Sequence, residues 1–146
     1  LEEPIFPPED WAALKALGRF GIAISAGENA CTAMEFSRLI DAVTYSQPSV
    51  TKVGGITEFA KVCDLAAAAG KTVMPHSPYF GPGYWATLQL AAARKEAGLF
   101  EYLYITQDAV IDEAMPRPER GVLAIPDRPG IGCTPDSKVI ERYRVA

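Results

Sequence analysis

Carboxylate and imidazole side chains stand at the ends of short, β-branched segments of this chain. Glu28 follows the run IAISA and Gly27, His76 follows the run KTVMP, and Glu2 and Glu3 stand just before Pro4. Carboxylates that converge from neighbouring strands repel one another unless a cation lies between them. Oxygen ligands without cysteine favour Mg²⁺ or Mn²⁺ over zinc. The pattern therefore predicts a divalent-cation site with a histidine beside it.

His76 is the only histidine of the chain, and histidine is the side chain that ordinarily exchanges protons near neutral pH. Glu101 lies on the last regular strand-like segment, and Ser49 follows Gln47 and Pro48. Each has a structural alternative, because a lone histidine is often a satisfied structural residue and a loop carboxylate is often simply solvated. Four aromatic residues after His76 leave a similar choice between a pocket wall and core packing. They are Tyr79, Phe80, Tyr84 and Trp85.

Strand-like segments alternate with helical patterns along the chain. The segments begin near residues 22, 44, 71 and 99, a period of one strand and one helix. This alternation is typical of an α/β fold with a parallel sheet. The predicted strands cover residues 22–26, 44–47, 71–75 and 99–105, with a further strand at 121–125. The predicted helices cover residues 11–20, 32–43, 57–69, 84–97 and 135–143.

The architecture places the polar residues on one side of the sheet. In parallel α/β folds, chemistry lies at the C-terminal ends of the strands, where these glutamates and the histidine fall. No glycine-rich GxGxxG loop follows any strand, which argues against a dinucleotide-binding fold. Four or five strands leave two alternatives, a small open α/β domain or roughly the second half of a barrel.

Composition excludes several classes of protein. The 146 residues carry a net charge of −4, and 49% are hydrophobic, which is ordinary for a globular protein. The acidic balance predicts no nucleic-acid binding, and no apolar run reaches the roughly 18 residues of a membrane span. The start lacks a signal peptide and also a methionine, so we expect a cut or processed chain. Three widely spaced cysteines predict reduced core thiols in the cytoplasm, without disulfides or zinc.

An ordered set of short motifs spans the chain from end to end. It resembles the enolase superfamily, specifically the mandelate racemase branch of the mandelate racemase and muconate lactonizing enzyme family. The motifs are LEEP at 1–4, AGEN at 26–29, QP at 47–48, KVGGIT at 52–57, PH at 75–76 and IPDRPGIG at 125–132.

The resemblance implies a specific fold. Residues 1–146 would form the second half of a (β/α)7β TIM-like barrel, in which parallel strands alternate with helices. The segment would run from the end of the fourth strand to the C-terminus, without the N-terminal capping domain and the first strands. Because the resemblance places a third metal ligand and a second base in the missing part, we expect this segment alone to be inactive.

The resemblance also implies the chemistry of the site. Glu2 and Glu28 would bind Mg²⁺, with Mn²⁺ as an alternative, and alternation of side chains turns Glu3 away. The cation would bind the carboxylate of the substrate and stabilise an enediolate formed by loss of the α-proton. His76 would act as base or acid. Glu101 would hydrogen-bond the substrate carboxylate, for which it would have to be protonated.

One position departs from the family pattern. Ser49 stands where the racemase branch has an aspartate that pairs with the histidine. A hydroxyl can orient an imidazole but cannot offset its full charge, so we expect His76 to serve mainly as an acid. This favours dehydration of an acid sugar. The alternatives are racemisation or epimerisation of a 2-hydroxy acid, and a non-catalytic segment that self-associates through an open sheet edge. We expect a homo-oligomer.

Overall fold

A parallel sheet forms the centre of the molecule in the computed structural model, which describes residues 1–145. Its strands are β1 (Ser25–Ala26), β2 (Tyr45–Ser46) and β3 (Thr72–Val73), in that order across the sheet. Single parallel bridges extend the sheet at both edges, from Glu2 to Ser25 and from Val73 to Ala97. Five successive segments therefore run in the same direction.

Within residues 1–145, four helices connect these segments, and a fifth lies near the C-terminal end. They are α1 (Trp11–Leu17), α2 (Ala33–Leu39), α3 (Ile56–Ala68), α4 (Pro82–Ala93) and α5 (Ser137–Tyr143), with 3₁₀ turns at Gly18–Phe20 and Ile40–Ala42. The predicted alternation of strands and helices is confirmed between residues 11 and 93. It places a helix after each of the first four parallel segments, as a barrel requires.

Local sequence signals explain where the helices begin and end. The Asp10 carboxylate accepts a hydrogen bond from the Ala13 amide, and the Thr32 hydroxyl accepts one from the Glu35 amide. Both are N-caps, because they satisfy amides that lack a partner inside the helix. At the other end of α3, Gly70 adopts a positive φ of 63°, which glycine tolerates best.

The main core lies between the sheet and helices α1 to α4. Phe36 of α2, Phe59 and Val62 of α3, and Val73 of β3 are all fully buried. A second cluster forms around Trp85 and its neighbours on α4, and residues from the tail after position 100 pack against it. The irregular tail is therefore held by α4 rather than by strand pairing.

Most of the regular elements are shorter than predicted, and three predictions differ most from the structure. Residues 99–105 form no strand, and the parallel pairing with β3 occurs earlier, where the Val73 amide donates to the Glu96 carbonyl at 2.9 Å. Residues 121–125 contribute only an antiparallel bridge from Glu119 to Val122. Helix α4 ends at Ala93 instead of continuing to 97, because Arg94 is extended and its side chain reaches Asp64 on α3.

The cysteines are free, as predicted, but they do not all lie in the core. Cys63 is buried, and burial raises the pKa of its thiol to about 11, so it remains a protonated, apolar group. Cys31 is exposed, which corrects the prediction of a core thiol at that position. Within residues 1–145, no helix has the length and apolarity needed to cross a membrane.

A buried carboxylate clamps the tail. Asp112 is 7% exposed and accepts hydrogen bonds from the Thr134 amide at 2.7 Å, the Ala114 amide at 3.0 Å and the Arg128 guanidinium at 2.9 Å. Arg128 in turn lies over the ring of Trp85, 5.2 Å from its centroid. Burial alone would raise the pKa of Asp112, but the three donors outweigh it and lower that pKa below its usual value.

We expect Asp112→Ala to destabilise the fold by about 1–3 kcal/mol, because it leaves two backbone amides and a guanidinium without their common acceptor. The lowered pKa also gives the pH dependence. The stabilisation is complete above the ordinary carboxyl pKa of 3.8 and is lost as the pH falls through the lower folded value. Urea unfolding at pH 7 and at pH 3 measures both effects, with Asp108→Ala as the control. An Asp112→Ala variant as stable as the parent chain would contradict this role.

Candidate active site

The predicted site residues lie after the C-terminal ends of the parallel segments. Glu28 follows β1, Ser49 follows β2 and His76 follows β3, while Glu2 and Glu101 belong to the two edge segments. Gly27 makes the turn after β1 feasible, because its φ is 129° and a Cβ there would lie only 2.7 Å from the Phe36 ring. The turn directs the chain from the buried strand to Glu28.

His76 lies between two carboxylates. Its Nδ1 is 3.1 Å from Glu28 Oε2 and 3.4 Å from Glu101 Oε2. Neither contact has the direction of a hydrogen bond, and Nδ1 is buried without a hydrogen-bonding partner among residues 1–145. The histidine side chain is 13% exposed. Two carboxylates from different segments therefore lie within ion-pair distance of this ring nitrogen.

Glu101 is held in place by the residue next to the histidine. The Ser77 amide donates to Glu101 Oε2 at 2.9 Å, and the Ser77 hydroxyl donates to the backbone carbonyl of Glu101. Ser77 is fully buried. These two bonds fix the edge segment next to His76 without regular strand pairing. No local pattern pointed to Ser77, because its contact with Glu101 joins residues 24 positions apart in the sequence.

Ser49 is fully buried but makes no hydrogen bond to His76 in the described part of the chain. Its hydroxyl instead pairs with the Tyr79 hydroxyl and with Thr51 Oγ1, the latter at 3.2 Å. The Tyr79 ring meets the His76 ring edge-on, with centroids 6.1 Å apart and an interplanar angle of 84°. Contrary to expectation, Ser49 therefore does not orient the imidazole directly. It contacts Tyr79, and Tyr79 contacts His76.

The other three aromatic residues after His76 were predicted either to wall a pocket or to pack in the core. Tyr84 and Trp85 are fully buried in the second core cluster, so they do not line the site. The Tyr84 hydroxyl donates to the Pro116 carbonyl at 2.9 Å, and burial raises the pKa of this phenol. Phe80 lines a cavity of about 360 Å³ formed with the tail, and none of the predicted site residues lines that cavity.

The two glutamates at the start of the chain have different partners. Glu2 Oε1 accepts a hydrogen bond from Gln47 Nε2 at 2.6 Å, whereas Glu3 Oε1 accepts one from the Gly27 amide at 2.8 Å. Among the described residues, Glu2 Oε2 and Glu28 Oε1 form no hydrogen bond. Each predicted metal ligand therefore has an oxygen available for another partner.

A magnesium ion would find part of its coordination shell here. Mg²⁺ prefers oxygen ligands such as carboxylates. It takes about six ligands in all, and several of these are usually water molecules or substrate oxygens. Residues 1–145 contain no group of three His, Cys, Asp or Glu side chains that could hold a metal. Glu2 and Glu28 each offer a carboxylate oxygen of the kind that Mg²⁺ binds, which is fewer ligands than a complete site needs.

Comparison with known proteins defines the class. Residues 1–139 match the family described as Enolase C-terminal domain-like, so the chain belongs to that family. A crystal structure of a mandelate racemase/muconate lactonizing enzyme from Jannaschia sp. CCS1 superposes with a TM-score of 0.86 and 29% identity, over 100% of this chain and 38% of that one. The sheet and helices are therefore the C-terminal portion of a TIM-like barrel, as the resemblance implied.

Named relatives are acid-sugar dehydratases. The chain is 31% identical to the arabinonate dehydratase of Saccharolobus solfataricus over 98% of its own length and 39% of that enzyme. It is 30% identical to the D-xylonate dehydratase of Haloferax volcanii, over 99% of this chain and 36% of that enzyme. The chain thus spans well under half the length of these relatives.

Proposed function

We propose that this chain supplies the metal-binding and acid half of an acid-sugar dehydratase site. The observation that carries the proposal is the position of His76 between the Glu28 and Glu101 carboxylates at the ends of parallel segments. The dehydratase activity of relatives at 30–31% identity supports the same reaction class. The substrate would be a small sugar acid, recognised through its carboxylate.

Glu2 and Glu28 would hold Mg²⁺. When bound, the cation would polarise the substrate carboxylate and offset the negative charge that develops as the α-proton leaves. Glu101 would contact the same carboxylate through the oxygen that Ser77 does not occupy. These three side chains come from different segments, so the order of the parallel segments sets their distances.

His76 would act on the β-carbon side of the substrate. A base removes the α-proton, the bond between the β-carbon and its hydroxyl breaks, and His76 donates the proton with which that hydroxyl departs as water. The resulting enol takes up a proton at the β-carbon and becomes a 2-keto-3-deoxy acid. Ser49 contacts Tyr79 and replaces the aspartate that partners the histidine in the racemase branch, which favours this acid role over a symmetrical two-base racemisation.

The test is turnover of sugar acids by the complete gene product that carries this chain. We expect a 2-keto-3-deoxy acid to form from at least one five- or six-carbon sugar acid in the presence of Mg²⁺. Chelation of the metal should stop the reaction, and added Mg²⁺ should restore it. Absence of keto acid across the panel, in a folded and Mg²⁺-loaded protein, would refute the proposal.

If Ser49 affects His76 through Tyr79, removing the Tyr79 hydroxyl should slow the reaction. Tyr79→Phe removes the hydroxyl that Ser49 contacts and loosens the ring beside His76. We expect kcat to fall about tenfold with little change in KM, because misplaced groups slow chemistry more than they weaken binding. Ser49→Ala should have the same effect, and the double variant should be no worse than either single variant.

Steady-state kinetics check this prediction, with Tyr104→Phe as the matched control. Tyr104 is 95% exposed and lies outside the contacts of His76. Additive losses in the double variant would mean that Ser49 and Tyr79 act separately.

The expectation of a homo-oligomer is tested independently, by light scattering over a range of concentrations.

A further inference from the structure

Gln47 occupies a position that neither the proposed metal ligands nor the proposed acid explains. It directly follows β2, is 1% exposed, and its backbone amide donates to the Ala26 carbonyl at 2.9 Å. Its side chain reaches across the sheet to the edge segment, where Nε2 donates to Glu2 Oε1 at 2.6 Å. The contact joins residues 45 positions apart in the sequence.

The orientation of the Gln47 amide follows from its partner. A carboxylate only accepts hydrogen bonds, so the end of the amide that faces Glu2 must be the nitrogen. The other end, Oε1, is then buried with no partner among residues 1–145. A buried acceptor without a donor destabilises a fold, and an apolar side chain of the same shape would avoid that cost. Packing alone therefore does not explain a glutamine here.

We infer that Gln47 is a positioning residue for the Glu2 carboxylate. The inference rests on the proposed function, in which Glu2 holds Mg²⁺. The bond from Nε2 occupies Glu2 Oε1 and fixes the rotation of the carboxylate, which leaves Oε2 as the oxygen presented to the cation. Hydrogen bonds that orient a metal ligand raise affinity, because the ligand does not have to be ordered when the metal binds.

The test separates an effect on the metal from an effect on the fold. Gln47→Met keeps the length of the side chain, removes the donor and also removes the unpartnered acceptor. We expect Mg²⁺ to bind 10 to 100-fold more weakly in titration calorimetry, the range typical of residues that orient a metal ligand. We expect the melting temperature to stay the same or rise. A merely structural role predicts the opposite pair of results, a lower melting temperature with unchanged Mg²⁺ affinity.

A matched control is available in the tail. Gln107 also has a buried Oε1 without a partner among the described residues, but it lines the cavity formed with Phe80 and Tyr102. Gln107→Met should leave Mg²⁺ affinity unchanged. If Gln47→Met does not fold, Gln47→Asn serves as the second variant, because it keeps the amide but is one methylene too short to reach Glu2.

Glu2→Gln distinguishes failure of this inference from failure of the proposed function. Weaker Mg²⁺ binding in both Glu2→Gln and Gln47→Met supports the inference. Weaker binding in Glu2→Gln alone overturns the role of Gln47 and leaves the metal site intact. Unchanged binding in Glu2→Gln removes Glu2 from the metal site, and the inference about Gln47 falls with it. All variants are measured in the complete gene product with Mg²⁺ as the only titrant.

Discussion

His76→Gln is expected to lower kcat/KM for sugar-acid dehydration by about 10³-fold, within the range that a positioned acid or base contributes. Glutamine keeps a polar group between Glu28 and Glu101 but cannot give up a proton at neutral pH. The departing β-hydroxyl then leaves without help, and this step becomes limiting. Initial rates of keto-acid formation measure the loss directly.

The same variant also tests whether His76 is the acid or the base of the reaction. Because a different group would remove the α-proton, exchange of that proton with deuterated water should persist in His76→Gln while keto-acid formation fails. Mg²⁺ binding should change by less than about threefold, which excludes a collapsed site. Loss of exchange together with loss of product would make His76 the base and would contradict the role as acid.

Glu28→Gln is the substitution with the second large expected effect. It removes one charge from the proposed cation site and also changes the group 3.1 Å from His76 Nδ1. We expect Mg²⁺ affinity and turnover each to fall on the order of 10³-fold, because Lewis-acid stabilisation of the developing charge is lost with the metal. Titration calorimetry reports the loss of affinity, and initial rates at a fixed Mg²⁺ concentration that just saturates the parent protein report the loss of turnover.

Glu3→Gln is the matched control for this substitution. Glu3 neighbours Glu2 in sequence, but its carboxylate accepts the Gly27 amide instead of facing His76. Its removal should weaken the turn after β1 and cost some stability, with Mg²⁺ affinity unchanged. Equal losses of Mg²⁺ affinity in Glu3→Gln and Glu28→Gln would show that general negative charge, rather than a defined ligand, attracts the cation.

The order of strands and helices could be predicted because each of its signals is local. Asp10 and Thr32 cap their helices as their residue types indicate, and Gly70 ends α3 through its positive φ. The period of one strand and one helix then fixes the parallel sheet. The family motifs extended this to a barrel, and the match over residues 1–139 confirmed it.

The tail could not be predicted in the same way. Residues 99–105 carry the alternating aromatic pattern of a strand, but the rings of Phe100 and Tyr102 pack edge-on against Tyr84 of α4. Packing against a helix competes with strand pairing, and a propensity pattern does not reveal which of them prevails. The clamp around Asp112 depends on the same long-range packing, so it too left no local signal.

The candidate site shows the same division. The types and spacing of Glu28 and His76 predicted that they would meet at one end of the sheet, and the structure brings them within 3.1 Å. The supporting contacts were not predicted. Those of Gln47, Ser77 and Tyr79 join residues 24 to 45 positions apart in the sequence. Such contacts follow from how the segments pack, which composition and periodicity do not specify.

The most direct test of the central claim is the fate of a sugar acid followed by proton NMR in deuterated water. The complete gene product with Mg²⁺ should convert the acid into a 2-keto-3-deoxy acid, with one molecule of water lost for each molecule of substrate. Deuterium should appear at the carbon that carried the β-hydroxyl. A different product would contradict dehydration: an epimer that keeps all of its hydroxyl groups and carries deuterium at the α-carbon. That result would establish a racemase or epimerase instead.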